Sequence, residues 1–331
     1  MALTLLALIA CAASIYISCE YFVNGVEWVG LRFGVARSAV GTVLAAFGTA
    51  LPESVVTFVA VVMGDSDAHK QIGVGAALGG PLVLSTIAYA VAGLSFLAFR
   101  RKSDVVLLDA REQRRLARDQ GWFLVIFAAK VALGLIAFAY KPWLGALFIV
   151  AYALYTWREM SQGNVTVGDE AALEKLKCRP NDESPSRGWA VFQTLLALTV
   201  IFVSSKLFVD QLEALSPALG LSPQLTALLL SPIATELPET MNAIIWIRQG
   251  KVTLALGNIS GAMMIQATIP SALGIIFTPW LLDPPLIVAA SMTFLAISVM
   301  WVLLRHASLG ARRLAAFGLL YLVFAVIVAW R

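Results

Sequence analysis

The stretch GTALPES, Gly48–Ser54, places a proline and a glutamate inside an apolar run that extends from Val40 to Met63. A proline interrupts the hydrogen bonds of a helix, and a carboxylate is costly to bury in hydrocarbon. A second stretch, IATELPET at Ile233–Thr240, repeats this combination. The two LPE stretches decide the fold class and indicate where the chemistry of the chain lies.

The composition around these stretches is typical of a membrane protein. Of the 331 residues, 60% are hydrophobic and 13% are charged, and the mean hydropathy is +0.83. A helix needs about 20 apolar residues to cross roughly 30 Å of hydrocarbon. We predict an all-α polytopic membrane protein with ten transmembrane helices, near residues 2–22, 39–63, 72–99, 121–140, 142–157, 188–208, 219–247, 252–278, 283–304 and 313–330. The first residues contain no basic segment, so no secretory signal is predicted.

The distribution of Lys and Arg predicts the orientation of the chain, because positively charged connections stay in the cytoplasm. The connection 100–120 contains seven such residues and the connection 158–187 contains five. With an even number of spans, this bias places both termini outside. The net charge of +4 mostly reflects the same bias and does not indicate nucleic-acid binding. Four tryptophans near predicted helix ends are expected to anchor the chain at the interface: Trp122, Trp143, Trp157 and Trp280.

Residue types that support soluble-enzyme chemistry are scarce. The cysteines Cys11, Cys19 and Cys178 have neither paired nor metal-ligand spacing, so they predict no disulfide framework. The two histidines are His69 and His306. We therefore predict no histidine-rich metal site, no Ser-His-Asp hydrolase and no cofactor.

The two LPE stretches belong to a longer internal repeat. Residues 18–54 match residues 204–240 without a gap, at a constant offset of 186. Each half is expected to contain five spans, an odd number, so the second copy enters the membrane from the opposite side. The sequence thus predicts two inverted-topology five-helix repeats, 1–157 and 188–331, joined by a cytoplasmic linker at 158–187.

Each LPE stretch combines an opened backbone with oxygen ligands. Proline leaves carbonyl groups near Thr49 and Thr235 without helical partners, and at mid-membrane depth a cation or water has to satisfy them. The hydroxyls of these threonines and the carboxylates of Glu53 and Glu239 add oxygen atoms. Glu follows Thr by four residues in each copy, which predicts a shared helix face. An all-oxygen site of this kind suits a hard cation such as Ca²⁺ or Na⁺.

The second half offers three more candidate ligands. Asn258 and Gln266 would add amide oxygens, and Glu236 would add a carboxylate. Glu236 and Glu239 are three residues apart, so on one helix face they would be able to share a proton. This pair favours a proton-coupled cycle.

Glycine-rich segments at 73–80 and 257–261 predict places where helices approach closely or break beside the site, although packing alone explains them equally well. Lys130, in the middle of an apolar run, is too deep to reach the interface easily. It would pair with a site carboxylate or with Glu20, or act as a tethered cation that replaces one bound ion. An ordinary structural role for Lys130, in a water-filled crevice or an ion pair, is an equal alternative.

GTALPE and ATELPE, each followed by a helix with a G-x-x-x-G segment, resemble the two α-repeats of the sodium/calcium exchanger family within the cation/Ca²⁺ antiporter superfamily. The resemblance covers both halves of the chain. It implies a ten-helix fold with cation sites at the bilayer middle, between the second, third, seventh and eighth helices, and alternating-access exchange driven by Na⁺ or H⁺. By position, it implies Thr49 and Thr235 as ligands and Glu53 and Glu239 as the central carboxylates.

The chain departs from the family pattern at several positions. The family usually has GTSLPE in both repeats, and its serine is replaced here by Ala50 in one copy and Glu236 in the other. Serines expected in the glycine segments are replaced by Gly80 and Ala262. Gln266 stands where many exchangers carry an acid. A carboxylate is thus lost at one position and gained at another, and about three acids remain.

We therefore predict a secondary active cation antiporter, in a cell (inner) membrane, that exchanges Ca²⁺ for Na⁺ or H⁺ and has the bilayer but no obligate protein as partner. The alternatives are an antiporter for another cation (Na⁺/H⁺ or another divalent ion), a non-transporting scaffold or an intramembrane enzyme. Retention of LPE for packing alone is a weaker hypothesis, because an intramembrane carboxylate costs about a few kcal/mol. The predicted cation ligands are Thr49, Glu53, Thr235, Glu236, Glu239, Asn258 and Gln266.

Overall fold

The computed structural model describes residues 2–33, 51–100, 108–161, 174–182 and 184–330, and the regular secondary structure in these ranges is helical. The first half contributes α1 (Ala2–Arg32), α2 (Leu51–Met63), α3 (Asp67–Val83), α4 (Tyr89–Arg100), α5 (Ala110–Leu135) and α6 (Lys141–Ser161). The second half contributes α7 (Arg187–Leu219), α8 (Pro223–Thr235), α9 (Leu237–Arg248), α10 (Val252–Phe277), α11 (Pro284–Arg305), α12 (Ala311–Ala316) and α13 (Gly318–Ala329). A π-helical turn, Leu84–Ala88, joins α3 to α4.

The helices confirm the prediction of an all-helical membrane protein. Within the described ranges, six segments are long and apolar enough to cross a membrane: Ala2–Arg32, Asp67–Phe99, Arg187–Leu219, Val252–Phe277, Pro284–Arg305 and Ala311–Ala329. The remaining predicted spans correspond to α2, α5, α6 and the α8–α9 pair. Of these, α2 is described only from Leu51, α5 begins with a basic stretch, and a bend divides α8 from α9.

The start of α5 differs from the sequence prediction, which treated 100–120 as a connection. The Asp109 carboxylate accepts hydrogen bonds from the backbone N–H groups of Arg111 and Glu112, both at 2.8 Å. The Glu112 carboxylate in turn accepts from the Asp109 N–H at 3.3 Å. This capping box starts the helix at Ala110, because it satisfies donors that a helix N-terminus leaves open.

The helix α7 continues to Leu219, well beyond the predicted end at residue 208. It stops at Gly220, which adopts a left-handed conformation with φ 67°. Glycine takes up this conformation without steric cost, and the position after a helix is where it is commonly found.

The helices α1 and α7 lie against each other along their lengths. A Cβ atom on Gly25 would lie 2.6 Å from the Thr194 hydroxyl, so this glycine permits the close approach. Further along, the hydroxyls of Ser14 and Ser204 are hydrogen-bonded at 2.8 Å. Part of the predicted linker also packs here, since the Trp28 indole N–H donates to the Glu174 carbonyl at 2.9 Å.

The segments α3–α4 and α10 form the centre of the bundle. In their membrane-spanning windows 67% and 78% of the residues are buried, compared with 28% in α1 and 22% in α12–α13. On α3, a Cβ on Gly79 would lie 2.6 Å from the Leu228 carbonyl oxygen of α8, so the predicted close approach is confirmed for the first glycine segment. At Gly257 and Gly261 an added Cβ would meet none of the described residues within 4 Å, and α10 runs through both positions. The helix is not broken at the second segment, and a close approach there stays a prediction, because the repeat counterpart of α8 lies within residues 34–50, outside the described residues.

One of the four predicted interfacial tryptophans lies in the interior. Trp122, Trp143 and Trp157 are 41%, 78% and 70% exposed, whereas Trp280 is fully buried. The Trp280 ring lies against Gly274, and its indole N–H donates to the Lys130 carbonyl at 2.9 Å. An indole that finds its polar partner inside the protein does not need the interface.

Candidate cation-binding site

The backbone bends at the second LPE stretch. The helix α8 ends at Thr235, α9 begins at Leu237, and Glu236 lies between them. Pro238 has no N–H group, so the Ala234 carbonyl cannot receive the usual hydrogen bond from four residues further along. The predicted opening of the backbone near Thr235 is thereby confirmed.

This bend changes the predicted geometry of the second repeat. The sequence predicted that Thr235 and Glu239 share one face of a continuous helix. In the structure they lie on separate helices, so this prediction is wrong for the second repeat. Thr235 instead contacts Glu53 and Glu236. The corresponding threonine of the first repeat, Thr49, lies outside the described residues.

Three side chains from the two halves meet at the bend. Glu53 of α2, Thr235 and Glu236 are each 1% exposed. The Thr235 hydroxyl lies 3.0 Å from Glu53 Oε2 and 2.7 Å from Glu236 Oε1. The two carboxyl groups also lie within hydrogen-bond reach of each other. The carboxyl partner of Glu236 is therefore Glu53, whereas the sequence predicted Glu239.

The hydrogen atoms available for hydrogen bonding in this cluster indicate its protonation state. The Thr235 hydroxyl has a single hydrogen, which it can donate to one carboxylate oxygen at a time, and an ionised carboxylate has none to donate. A direct hydrogen bond between Glu53 and Glu236 requires a proton on one of them. The cluster is thus suited to hold either a proton or a cation between the two carboxyl groups.

Gln266 of α10 extends the cluster. Its Nε2 donates to Glu236 Oε2 at 2.7 Å, which leaves Gln266 Oε1 without a hydrogen-bond partner among the described residues. The same holds for Glu53 Oε1. A Cβ on Gly80 would lie 2.7 Å from Gln266 Oε1 and 2.9 Å from Glu236 Oε1, so α3 leaves room beside these oxygens. Buried oxygen atoms without partners are costly unless a donor, water or cation satisfies them.

Two hydroxyls outside the predicted set of ligands also lack hydrogen-bond partners among the described residues. Thr57 and Ser231 are fully buried, and their hydroxyl oxygens have no hydrogen-bond partner in the part of the chain that the structure describes. Thr57 follows Glu53 by four residues, and Ser231 precedes Thr235 by four. This spacing on a helix is the signal in the sequence that would have identified them.

Lys130 of α5 provides a positive charge close to the cluster. It is fully buried, and its Nζ donates to the Ala77 carbonyl of α3 at 2.9 Å. It interacts electrostatically with Glu53. Of the two predicted pairings, the one with a site carboxylate agrees with the structure. The other is wrong, because Glu20 is bound to Lys177 at 2.8 Å.

Two further predicted ligands, Glu239 and Asn258, are also among the described residues. Glu239 is fully buried on α9 and interacts electrostatically with Cys19 of α1. Asn258 is half-buried, eight residues before Gln266, which corresponds to about 12 Å along α10. The cluster therefore contains Glu53, Thr235, Glu236 and Gln266 from the predicted set.

A cavity of about 420 Å³ lies between α1, α9 and part of the predicted linker. Its lining includes Pro238 and Asn242, which flank Glu239 in the sequence, and the carboxylates Glu20, Glu27 and Glu174. Acidic side chains in a recess raise the local concentration of cations. Lys177 also lines this cavity, so its charged lining is three carboxylates and one ammonium group.

A bundle of apolar helices that buries carboxylates from both halves, next to oxygens without partners, defines a membrane transporter for cations. The chain belongs to the sodium/calcium exchanger protein family, whose family model matches residues 3–160 and 189–330. The protein is thus a cation antiporter that uses inorganic cations as substrates. Its family is one of transporters and not of enzymes.

Similar proteins cover most of the chain. Inner membrane protein YrbG of Escherichia coli K12 is 28% identical over 287 residues, which are 82% of this chain and 79% of that protein. The H⁺/Ca²⁺ exchanger CAX has a similar structure, with a TM-score of 0.75 at 16% identity over 98% of this chain and 82% of its own. The sodium-calcium exchanger NCX_Mj has a TM-score of 0.59 at 18% identity over 98% of each chain. At these identities the structural similarity shows a common fold.

Proposed function

We propose that this antiporter exchanges Ca²⁺ for H⁺ by alternating access, with Glu53 and Glu236 binding either ion in turn. The observation that carries the proposal is the contact of both carboxyl groups with each other and with the single Thr235 hydroxyl. This arrangement needs a proton when no metal ion is bound. A Ca²⁺ ion would displace that proton, because both carboxylates and their neighbouring oxygens suit a hard cation.

The charges near the site support an electroneutral cycle. Glu53, Glu236 and Glu239 are three buried carboxylates, and Lys130 is one buried ammonium. When all are ionised they leave two negative charges, which one Ca²⁺ or two protons neutralise. In this proposal Lys130 is the tethered cation that the sequence analysis considered.

The proposed ligands come from both repeats. Glu53, Glu236, the Thr235 hydroxyl and Gln266 Oε1 surround the space beside Gly80. Glu239 would pass cations between the cavity of about 420 Å³ and this space. Thr49 and Asn258 remain predicted ligands.

We further propose that ten transmembrane helices form two inverted repeats, 1–157 and 188–331, with both termini outside a cell (inner) membrane. The helix contacts support this two-fold arrangement: α1 packs on α7, α5 packs on α11, and the contact of α10 with α6 resembles that of α4 with α12. The family match leaves out residues 161–188, which supports a linker at 158–187.

The test is uptake of radioactive calcium into proteoliposomes that contain the purified protein. Three conditions are compared: an acidic lumen without Na⁺, a Na⁺-loaded lumen at equal pH, and no gradient. We expect uptake with the acidic lumen, and an imposed K⁺ diffusion potential should leave its initial rate unchanged. Glu53→Gln should abolish it.

A strictly Na⁺-dependent uptake that does not respond to pH would overturn the choice of H⁺. If Ca²⁺ is not transported under any gradient, the same vesicles should be tested with other divalent cations and for Na⁺/H⁺ exchange. Equal fluxes in the parent and in Glu53→Gln would remove the proposed site.

A further inference from the structure

A second cavity, of about 670 Å³, opens on the surface of the bundle where α5 packs against α11. It is distant in sequence from both LPE stretches and plays no part in the proposed exchange. Its lining combines arginines with large apolar side chains: Arg114, Ala117, Arg118, Gly121, Trp122, Val125, Trp301 and Arg305.

One end of the cavity is strongly basic. Arg114 and Arg118 are one turn apart on α5, and Arg305 is the last residue of α11. A fourth arginine, Arg158 of α6, has its guanidinium 6.0 Å from the centre of the Trp122 ring. Guanidinium groups donate in a planar fork that matches the oxygens of a phosphate group. These arginines belong to the face of the protein that the charge distribution predicts to be cytoplasmic.

The other end of the cavity is apolar and open to the surroundings of the bundle. Val125 is 67% exposed and Trp122 is 41% exposed. Gly121 has no side chain, so the Trp301 indole approaches the backbone of α5, where an added Cβ would be 3.4 Å from its Nε1. The Arg305 guanidinium lies 4.5 Å from the centre of the Trp301 ring. Tryptophans therefore lie between the basic and the apolar parts, as they do at the level of lipid headgroups.

We propose that this cavity binds one anionic phospholipid, whose phosphate lies between Arg114 and Arg305 and whose acyl chain covers Val125. The combination of positive charge and apolar surface in the cavity favours an anionic phospholipid over a free phosphate ion or a zwitterionic lipid. A free phosphate ion would use only the arginines, and a zwitterionic lipid would gain less from an excess of positive charge. Basic recesses between transmembrane helices on the cytoplasmic side are suited to anionic headgroups.

Native mass spectrometry of the purified protein tests this assignment, with phosphatidylglycerol and phosphatidylcholine titrated separately into delipidated protein in detergent. The variant Arg114→Gln/Arg305→Gln removes two exposed guanidinium groups from the cavity. The control Arg179→Gln/Arg187→Gln removes two exposed arginines from the same predicted face, where they stack on Trp189 and Phe33. Thermal unfolding curves establish that both variants are folded.

We expect one tightly bound phosphatidylglycerol per parent protein and per control protein. The cavity variant should bind it about thirtyfold more weakly, which corresponds to two lost arginine contacts. Equal affinity for the two lipids, or equal phosphatidylglycerol binding by parent and cavity variant, would overturn the proposal. Displacement of the lipid by inorganic phosphate alone would identify an anion site and would also overturn it. None of these outcomes depends on which ions the protein exchanges.

Discussion

The two LPE stretches have nearly the same sequence but contribute differently to the site. The first repeat supplies Glu53 and, through Gly80, the space beside the oxygens. The second repeat supplies Thr235, Glu236 and Gln266, which are most of the polar atoms in the cluster.

The two helices that carry the glycine segments, α3 and α10, also differ in the contacts that their glycines make. Gly79 of α3 touches the backbone of α8, whereas Gly257 and Gly261 of α10 have none of the described residues within 4 Å of an added Cβ. Among the described residues, the first repeat thus contributes close packing at Gly79, and the second contributes more of the polar groups of the cluster.

The largest effect is expected from removing either member of the pair that joins the repeats. Glu53→Gln and Glu236→Gln should each lower the rate of Ca²⁺ uptake by at least about 100-fold, the equivalent of about 3 kcal/mol. Each change removes a charge from the proposed ligands and prevents the exchange of a proton for a cation. Initial rates in proteoliposomes measure the effect.

The matched control is Glu213→Gln, whose side chain is 38% exposed and pairs with His69 at 2.8 Å. It should retain most of the parent's rate. If Glu53→Gln is inactive while Glu236→Gln is fully active, the first repeat alone carries the exchange and the composite site is wrong.

A smaller effect is expected at Lys130, a fully buried charged residue of the first half. Lys130→Met removes a positive charge near Glu53, so Ca²⁺ should bind more tightly and leave more slowly. We expect KM and the maximal rate each to fall by about tenfold, as electrostatics at an effective dielectric constant of about 20 permits. Transport kinetics over a range of Ca²⁺ concentrations separate the two parameters.

A purely structural role for Lys130 would lower the maximal rate by lowering the amount of folded protein and would leave KM unchanged. Lys130→Arg is the companion variant, because it keeps the charge. Its KM should remain within about twofold of the parent's value, since the electrostatic attraction on Ca²⁺ changes little.

The space beside Gly80 provides the next comparison. Gly80→Ser restores the residue that the family pattern predicts, but its Cβ would press against Gln266 Oε1 and Glu236 Oε1. Misplacement of these oxygens should lower the transport rate by about tenfold. The equivalent change in the second repeat, Ala262→Ser, should have a smaller effect, and a larger loss in that variant would contradict the assignment of the space to α3.

The smallest effects concern stability. Gly79→Ala adds a methyl group against the Leu228 carbonyl and should destabilise the protein by about 1–3 kcal/mol. An added methyl group at Gly261 would meet none of the described residues within 4 Å, so Gly261→Ala should stabilise α10 by about 0.5–1 kcal/mol, the difference in helix propensity. Thermal unfolding in detergent measures both, and equal shifts would show that the two glycine segments are packed alike.

Much of the architecture could be predicted from local features of the sequence. Apolar runs predicted the helices, and Pro238 predicted the opening of the backbone near Thr235. The predicted helix boundaries were less accurate where the end of a helix depends on specific hydrogen bonds. The capping box of Asp109 and Glu112 lies inside a strongly basic stretch, and that basic charge predicted a connection instead of a helix.

Local sequence features alone establish that the chain is a membrane protein with two related LPE stretches that each carry a carboxylate, and they indicate the family. These features follow from the hydrophobicity of each segment and from the covalent structure of proline, so they need no knowledge of other segments. The tertiary structure decided that Glu236 pairs with Glu53, that Lys130 reaches Ala77 and that Trp280 is buried. These features bring together residues that are far apart in the chain. Which residues meet depends on the direction of a helix bend and on the packing of neighbouring helices, and neither can be derived from a single segment of the sequence.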